Sequence, residues 1–282
     1  MALYIYRKNA LKISHFYEIL PDYFDGDKMI FFDHCVIIPA MFLAVDIGNT
    51  NINFGLFYGK KLIKKWQAAT FGPWPKFKAK IASAIISSVV PSVNKKMERF
   101  IKVNFGTKPA FVTAGSIKGL KIKVNKKSEV GADRLVGALA AYKLYGGPVI
   151  IIDFGTATTF DVVTKKGEYV GGAISPGISI SRDSLHEKTA KLPLVEIKKP
   201  KSIIGRSTVE AMRSGLLFGY ISLVEGMIKR LKKEFPSAKV VATGGFSTLI
   251  SKYIGTIGII NKDLTLYGLL MVEEGRSVRR GK

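Results

Sequence analysis

From residue 41 onward, apolar runs alternate with short polar tips and amphipathic stretches. The run "FLAVDIG" predicts a buried strand, "NINFGLF" predicts its hairpin partner, and "AKIASAIISSVVP" contains another strand that ends at Pro91. "SVNKKMERFIKV" then has apolar residues at helical spacing. A similar order returns in "PVIIIDFG", "TTFDVVT" and "YVGGAIS", which predict a strand followed by a meander. Strands that alternate with helices are typical of the α/β class.

Two longer stretches predict helices. "GADRLVGALAAYKLYGG" begins with a glycine and closes on a glycine pair, as helix ends often do. "STVEAMRSGLLFGYISLVEGMIKRLKKEF" begins with Ser207 and Glu210 at capping-box spacing and keeps an apolar period along its length. Gly215 and Gly219 lie one turn apart on it, which favours close packing against another helix, including one across a dimer interface. "AKVVATGGFSTLI" predicts a strand, a glycine pair and a helix.

The first 40 residues have a different character. They are crowded with Tyr, Phe and Ile, hold the only cysteine and two of the three histidines, and show no clean period. Methionines stand at positions 1, 29 and 41. We expect translation to begin at Met41 and residues 1–40 to be an extension introduced by gene prediction.

Composition narrows the class of protein. A chain of 282 residues with 47% hydrophobic content is large enough for two domains with real cores. No apolar run reaches the roughly 18 to 20 residues that a membrane span needs, and no secretory signal is convincing. A single cysteine excludes an intramolecular disulfide framework and a cysteine-rich metal site. We therefore expect a cytoplasmic protein without a membrane partner.

The charge is strongly positive, with 44 Lys and Arg against 21 Asp and Glu, a formal net charge of +23. Such a balance permits nucleic-acid binding and attracts anionic substrates. The lysines, however, occur singly or in short runs along the whole chain, without a basic block interleaved with aromatic residues. A generally basic surface is favoured over a nucleic-acid face, and a nucleic-acid partner is not expected.

One motif occurs twice. "FLAVDIGNTNINFGLF" and "VIIIDFGTATTFDVVT" each contain an apolar strand, an aspartate, a glycine two residues later, small polar side chains and a return strand. Glycine lets the backbone approach a ligand, N–H and hydroxyl groups donate to anionic oxygens, and a carboxylate can hold a cation. One copy alone is more often an ordinary hairpin turn. Two copies, at Asp46 and Asp153, suit a duplicated domain that clamps the phosphates of one nucleotide.

Other nucleotide motifs are weak or missing. Gly244 and Gly245 lie between a predicted strand and a predicted helix, where bare backbone can pack against a nucleobase or ribose. The chain has no G-x-x-x-x-G-K-[ST] and no strand followed by G-x-G-x-x-G. The P-loop and Rossmann interpretations therefore lack their main support.

The two Asp-Gly tips and the later Thr-Gly-Gly resemble the phosphate and adenosine motifs of the acetate and sugar kinase, Hsp70 and actin superfamily. The finer resemblance is to type III pantothenate kinase, from Met41 to about Val272. It rests on "DIGNTN", "SSVVP", "GADRLVGALAAY", "DFGTATTFDVV", "GGAISPGI", "TAKLPLVEI", "GRSTVEAMRSG" and "TLYGLL". It implies an α/β fold of two duplicated ribonuclease-H-like (actin-like ATPase) domains, each a mixed sheet flanked by helices, with the nucleotide in the cleft between them. We place these domains at 41–147 and 148–282.

The resemblance also implies roles for individual residues. Nucleotide contacts are implied for Asp46, Ile47, Gly48, Asn49, Thr50, Asn51, Ile52 and Asn53 in the first tip, and for Thr156 in the second. Pantothenate contacts are implied for Gly131, Ala132, Asp133, Arg134 and Thr208. Asp133 would be the general base, and Asp153 would hold a monovalent cation, potassium or ammonium. ATP with a divalent cation, for which we expect magnesium, would be the phosphoryl donor, and the protein would be a homodimer.

The residue chemistry agrees with these roles and leaves alternatives. Asp133 lies at a predicted helix start, where a carboxylate is favoured by the helix dipole. It could face a cleft as a base or merely cap the helix. The guanidinium of Arg134 suits the carboxylate of a substrate, although a surface salt bridge is the simpler interpretation.

One segment departs from the family pattern. Ahead of Gly-Ala-Asp-Arg the family has a tyrosine and an Asn-Pro pair, whereas this chain reads "VNKKSEVGADR". Val124 stands at the tyrosine position, and Lys126 and Lys127 replace Asn-Pro. The tyrosine belongs to the pantothenate pocket, so the pocket of this chain is expected to differ in shape.

The sequence thus predicts an ATP-dependent kinase that converts pantothenate to 4'-phosphopantothenate, the first step of coenzyme A biosynthesis. The enzymatic alternative is a small sugar or N-acetylhexosamine kinase of the same superfamily, but related kinases of that type often carry a Cys/His zinc motif, and the core here has no cysteine. The non-enzymatic alternative is a regulatory homologue that binds nucleic acid, motivated by the charge.

Overall fold

The computed structural model describes residues 5–7, 31–32, 35–37 and 41–280. Within the first 40 residues, β1 (Ile5–Arg7), β2 (Phe31–Phe32) and β3 (Cys35–Ile37) pair antiparallel in the order β1-β3-β2. The expectation that residues 1–40 are an extension falls largely outside the described residues and stays a prediction.

The first large sheet has five strands. They are β4 (Met41–Ile47), β5 (Asn51–Tyr58), β6 (Lys61–Ala69), β7 (Ile81–Ser88) and β8 (Ala110–Phe111). Their order is β6-β5-β4-β7-β8. The hairpins β4–β5–β6 are antiparallel, whereas β7 lies parallel to β4 and β8 parallel to β7. The strand β6 was not predicted from the sequence, because its polar and apolar residues alternate irregularly.

The second large sheet repeats this arrangement. Its strands are β9 (Lys121–Ile122), β10 (Val149–Phe154), β11 (Ala157–Val163), β12 (Glu168–Pro176), β13 (Lys239–Thr243) and β14 (Ile259–Ile260). The order is β14-β13-β10-β11-β12-β9. An antiparallel meander, β10–β11–β12, is again followed by two parallel strands, β13 and β14. The shared order confirms the predicted duplication of a mixed α/β unit.

Helices connect and cover the sheets. Their bounds are α1 (Pro91–Phe105), α2 (Ala132–Tyr145), α3 (Ile178–Glu187), α4 (Thr208–Ser214), α5 (Tyr220–Glu234), α6 (Ser247–Ser251) and α7 (Leu264–Arg280). Short 3₁₀ turns occupy Ala114–Ser116 and Lys127–Glu129. The predicted long helix from 207 to 235 is present, but a π-turn at Gly215–Gly219 joins its two parts.

Local sequence accounts for the helix ends. Pro91 stands in the first turn of α1, where its missing N–H costs no hydrogen bond, and Gly106 ends that helix at φ 68°. At α4 the N–H of Glu210 donates to Ser207 Oγ, at 3.3 Å. The Glu210 carboxylate accepts from the N–H of Arg206, at 3.0 Å, one residue before the N-cap. The predicted capping box is therefore formed with its return bond shifted by one residue.

The largest core lies between the two sheets, around α2 and α7. It joins side chains from both halves of the chain, including Ala44, Ile85, Leu139, Ile151 and Leu269. Two further cores lie on the outer faces, one between the first sheet and α1 and one between the second sheet and α5. Adjacent residues of β10 point to different cores, as the period of a strand requires, so this strand is apolar up to Asp153.

The two halves are interleaved in space. The C-terminal helix α7 packs on β4, β5 and β7 of the first sheet, and β9 pairs with β12 of the second. The division into 41–147 and 148–282 stays a prediction, and these two elements cross it. Within the described part of the chain, none of the helices combines the length and apolar character needed to cross a bilayer.

Candidate functional site

The two repeated aspartates occupy equivalent positions. Each is the last residue but one of the strand that begins the antiparallel meander of its sheet. Asp46 lies between Asn53 on β5 and Ser87 on β7. Asp153 lies between Thr159 on β11 and Thr243 on β13. The duplication predicted from the sequence therefore extends to the polar neighbours of each carboxyl group.

The two tips that follow these strands meet. Thr50 Oγ1 and Thr156 Oγ1 lie 2.9 Å apart and share a hydrogen bond, although the residues are 106 positions apart in the chain. Both threonines are exposed, as is Asn49 beside Thr50. The hydroxyls of the two tips thus face a common, solvent-accessible space between the sheets.

The first tip is held by a residue that the sequence analysis did not identify. Thr70, at the end of β6, is 1% exposed. Its Oγ1 donates to the carbonyl of Gly48 at 2.7 Å, and its N–H donates to the carbonyl of Thr50 at 3.0 Å. The N–H of Gly48 donates to the carbonyl of Asn51, also at 3.0 Å. The tip is therefore fixed before any ligand binds, which lowers the entropic cost of binding.

Glycines let other backbone segments approach the second tip. Gly244 has φ 86°, a conformation that side chains disfavour, and a Cβ there would meet the Asp153 carboxyl and the backbone of Phe154. A Cβ on Gly177 would meet the carbonyls of Gly155 and Thr156. The Thr-Gly-Gly segment and the start of α3 therefore converge on the second tip.

Three carboxyl groups interact across this space. Burial raises the pKa of Asp46 to about 7, with further contributions from Asp133 and Asp153. Burial likewise raises the pKa of Asp153 to about 7, and the charges of Asp133 and Asp161 add to the rise. Burial is also the main reason that the pKa of Asp133 is raised. Like charges brought together out of water favour the protonated forms, so the cluster favours a cation.

One oxygen of the cluster has no partner. Asp46 Oδ1 is buried and accepts no hydrogen bond from the described residues. The Ser87 hydroxyl and the Asn53 amide are close enough to lower the pKa of Asp46, which opposes the effect of burial. The Ser87 Oγ is nevertheless also outside hydrogen-bond geometry. A buried acceptor without a donor is costly, and a cation or water at this point would satisfy it.

Asp133 lies in the first turn of α2, as predicted. Gly131 is the N-cap and has no side-chain cap, while Asp133 Oδ1 accepts from the N–H of Arg134 at 2.7 Å. A Cβ on Gly131 would meet Asp133 Oδ1, so glycine there makes room for the carboxyl group. The two interpretations of Asp133 are therefore compatible, because one oxygen bonds the helix while the group interacts with Asp46 and Asp153.

The Arg134 side chain is bound to a buried carboxylate. Its Nη2 lies 2.7 Å from Asp161 Oδ1, and its Nε donates to Asp161 at 3.0 and 3.3 Å. The sequence analysis considered a substrate carboxylate or a surface salt bridge for Arg134 and did not identify Asp161. The structure shows an interior ion pair that uses Nε–H and one N–H of Nη2. Both N–H groups of Nη1 and the second N–H of Nη2 remain for other acceptors, and contact between Arg134 and a substrate stays a prediction.

The remaining predicted substrate residues are less closely connected. Val124 is half-buried against the central core, and its Cγ1 lies 3.6 Å from where a Cβ on Gly171 would be. Thr208 is exposed at the start of α4. Among the described residues, no hydrogen bond or ion pair joins Thr208 to the carboxyl cluster.

A metal ion would need ligands beyond protein side chains. Within the described part of the chain, no three His, Cys, Asp or Glu side chains are arranged to hold a metal ion. The orphaned Asp46 Oδ1 and the raised pKa values of the cluster still fit a cation. Such an ion would share its coordination between one or two carboxylates, backbone carbonyls, water and phosphate oxygens, as magnesium does beside nucleotides.

Comparison with known proteins gives consistent results. The family model described as type III pantothenate kinase matches residues 42–230. A type III pantothenate kinase from Paramagnetospirillum magneticum is 45% identical over 255 residues, covering 84% of this chain and 98% of that protein. One from Exiguobacterium sibiricum is 42% identical over 250 residues, covering 83% and 99% respectively.

A solved structure shares the fold. It is a Campylobacter jejuni protein assigned to the Baf family of transcriptional activators, with a TM-score of 0.56 and 21% identity, over 83% of this chain and 98% of that one. At this level of identity the similarity concerns the fold alone, and it agrees with the two sheets of repeated topology.

Proposed function

Because the chain belongs to the type III pantothenate kinase family, we propose that it transfers the γ-phosphoryl group of ATP to the hydroxyl of pantothenate, the first step of coenzyme A biosynthesis. The observation that carries the proposal is the hydrogen bond between Thr50 and Thr156. It joins the two tips into one site, beside which the carboxyl groups of Asp46, Asp133 and Asp153 interact. Phosphoryl transfer needs this combination of phosphate donors, cation sites and a base.

In this proposal the tips bind the nucleotide. The phosphates lie along residues 46–53, where backbone N–H groups and the side chains of Asn49 and Thr50 can donate, and Thr156 donates from the other side. Gly244 and Gly245 leave space for the ribose or base. Thr70 holds the first tip through its hydrogen bonds to the carbonyls of Gly48 and Thr50.

Cations complete the site. Asp153 would hold potassium or ammonium, and Asp46 would contact magnesium bound to ATP, directly or through water. Bound cations neutralise charge on the transferring phosphoryl group. They would also lower the raised pKa values of these carboxyl groups, so that the cluster is ionised when the nucleotide is present.

Asp133 is the proposed base. As the hydroxyl oxygen of pantothenate attacks the γ-phosphorus, its proton passes to Asp133, and the bond to the bridging β–γ oxygen breaks to release ADP. Because Asp133 Oδ1 accepts from the Arg134 N–H, the other oxygen is the one that would take the proton. Gly131, Ala132 and Arg134 would position the substrate from the start of α2, with Val124 and Thr208 as outer contacts.

A coupled assay of ADP release tests the proposal. We expect turnover with pantothenate that is stimulated when potassium or ammonium replaces sodium, and little turnover with a hexose or N-acetylhexosamine. Asp133→Asn should lower kcat by at least about 100-fold, since general-base catalysis contributes about 10²–10⁴-fold. Asp183→Asn is the matched control, because Asp183 lies near the surface and pairs with Arg182. Absence of turnover with pantothenate in the presence of potassium would refute the proposed function.

The protein is further proposed to be a cytoplasmic homodimer. Eight large apolar side chains between residues 170 and 223 are exposed, namely Val170, Ile174, Ile180, Leu185, Leu194, Ile203, Ile204 and Leu223. Exposed apolar side chains concentrated in one stretch of the chain favour an interface between subunits in that part of the protein. The glycines of the π-turn at Gly215–Gly219 are open to close approach, since a Cβ at either end would meet nothing within 4 Å.

A further inference from the structure

Asp161 is a buried acid that the proposed reaction does not use. It lies within β11 and is 2% exposed. Burial raises the pKa of its carboxyl group, and the positive charge of Arg134 acts in the opposite direction. A buried carboxylate is costly unless it is paired and hydrogen-bonded. The partners of Asp161 therefore indicate what the residue does.

The Asp161 carboxylate is fully engaged by protein groups. Besides the fork of Arg134, it accepts from the Tyr169 hydroxyl at 2.6 Å and from Thr159 Oγ1 at 3.1 Å. Tyr169 itself is 0% exposed. These contacts come from β11, β12 and α2, so the carboxylate binds three elements and has little capacity left for a substrate.

Arg134 connects this carboxylate to the proposed base. Its side chain donates to Asp161, while its backbone N–H donates to Asp133 Oδ1. The first turn of α2 is thereby tied to β11, which pairs with β10 so that Ile151 is opposite Asp161 and Asp153 is opposite Thr159. The helix that carries Asp133 is bonded to Asp161, and the strand that carries Asp153 pairs with the strand of Asp161.

We propose that Asp161 is a positioning residue, which acts through Arg134 to hold the Asp133 carboxyl group in the cleft beside Asp46 and Asp153. This inference rests on the proposed function of the same site. Alternative conformations of the first turn of α2 would leave Asp161 buried without its cation, so they are disfavoured. The buried pair thus selects one orientation of the base, and it occupies Nε–H and one N–H of Nη2 of Arg134.

The pair also sets the charge around the base. The groups that act on Asp133 are Asp46 on β4, Asp153 on β10, Asp161 and Tyr169 in the second sheet, and Arg134 on the same helix. The negative charge of Asp161 raises the pKa of Asp133, and the positive charge of Arg134 lowers it. Removing the charge of Asp161 while keeping Arg134 should therefore make Asp133 a weaker base.

The test uses Asp161→Asn in the full chain. Since misplacing a reacting group can cost about 100-fold, we expect kcat to fall by about 10- to 100-fold, with the KM for ATP within about twofold of the wild-type value. The acid limb of the pH profile of kcat/KM should move to lower pH. Asp183→Asn, which removes a carboxylate near the surface beside Arg182, is the control and should change kcat by less than about twofold.

A double-mutant cycle separates positioning from an independent role. If Asp161 acts through Arg134, Asp161→Asn should cause no further loss of kcat in an Arg134→Gln background. The double variant also carries no unpaired buried charge, so it should fold even if Asp161→Asn alone is unstable. Multiplicative losses of kcat, an equal rise in the KM for ATP, or an unmoved acid limb would each overturn the proposal.

A measurement without turnover keeps this inference separate from the proposed function. Titration of aspartate carboxyl groups by ¹³C NMR, with the Asp133 signal assigned by its loss in Asp133→Asn, should show a lower midpoint for Asp133 in Asp161→Asn. The same midpoint in both proteins would overturn the inference, whatever the substrate. If the wild type does not turn over pantothenate but the midpoint moves, the substrate assignment fails and the coupling of Asp161 to Asp133 stands.

Discussion

The carboxyl cluster should make the ligand-free protein less stable at neutral pH, and Asp46→Asn should relieve this. Asp46 has its pKa raised from 3.8 to about 7 by burial and by Asp133 and Asp153. A folded-state pKa above the unfolded value means that the folded protein holds its proton more tightly. The resulting loss of stability begins near pH 4, where the unfolded chain ionises, grows as the pH rises, and is complete above about pH 7.

The magnitude follows from the shift. One unit of pKa is worth about 1.36 kcal/mol, so a rise of about three units costs about 4 kcal/mol at pH 8. At pH 5 only about one unit of this interval lies above the unfolded pKa, and the cost is between about 1 and 2 kcal/mol. Asparagine has nearly the same shape and carries no charge. The gain in unfolding free energy from Asp46→Asn should therefore increase by about 2 to 3 kcal/mol between pH 5 and pH 8, and relaxation of the site lowers this to no less than about 1 kcal/mol.

Urea denaturation without nucleotide at pH 5, 6, 7 and 8 measures this difference. With a slope of about 2–3 kcal/mol per molar urea, the midpoint of Asp46→Asn should exceed that of the wild type by about 1 M more at pH 8 than at pH 5. Asp183→Asn is the matched control, because its carboxylate lies near the surface beside Arg182. That variant should follow the wild type at every pH.

An equal difference in unfolding free energy between Asp46→Asn and the wild type at pH 5 and pH 8 would refute this prediction. It would then follow that Asp46 does not become charged in a costly environment. A second measurement is independent of the pH series: MgATP at 100 times its Kd should stabilise the wild type by about 2.7 kcal/mol, and the variant by much less. Equal stabilisation of both would show that Asp46 does not contact the nucleotide–metal complex.

Two other predictions concern the backbone at the site and the exposed apolar region. Gly244→Ala should lower the unfolding free energy by about 2 kcal/mol or more and weaken ATP binding, because its Cβ would collide with the Asp153 carboxyl at positive φ. Gly245→Ala, where a Cβ meets nothing within 4 Å, should leave stability within about 0.5 kcal/mol in thermal melts; equal losses would contradict the argument. Ile204, 75% exposed, should lie in the subunit interface, so Ile204→Glu should give monomers by light scattering. Val103→Glu, on α1 at 74% exposure, should leave the dimer intact, and a monomeric wild type would refute the interface.

The fold was largely predictable from local pattern. Strands β4 and β10 are nearly continuous apolar runs because both of their faces are covered, and the polar tips marked where these strands end. Shorter apolar runs predicted β7 and β13. The strand β6 was missed because it lies at the edge of its sheet and has much of its surface in water. The π-turn was not predicted because the apolar period of the helix continues through Gly215–Gly219.

The candidate site was predictable only in part, because some of its residues belong to local motifs and others act through contacts that are distant in the chain. The repeated Asp-Gly tips are local motifs, so their chemistry could be inferred before their contact was known. Thr70 supports a tip from 22 residues away, and Asp161 pairs with Arg134 across 27 residues. Neither has a local signature, since a threonine at a strand end and an aspartate within "TTFDVV" each fit a solvated position equally well. Asp161 could have been suspected from its place within an apolar strand, where an unpaired acid is unfavourable.

The three carboxyl groups of the site are unfavourable for the stability of the ligand-free protein but suit the binding of cations. Asp46, Asp133 and Asp153 repel one another where little water reaches them, and burial raises the pKa of each. Because their pKa values are raised to about 7, Asp46 and Asp153 are partly protonated at neutral pH when no cation is present. Binding of ATP with its cations would bring in the positive charge that ionises the cluster. Deprotonation of Asp46 and Asp153 would then accompany assembly of the complete site. Proton release on nucleotide binding, measured calorimetrically in buffers of different ionisation enthalpy, should therefore be smaller in Asp46→Asn than in the wild type.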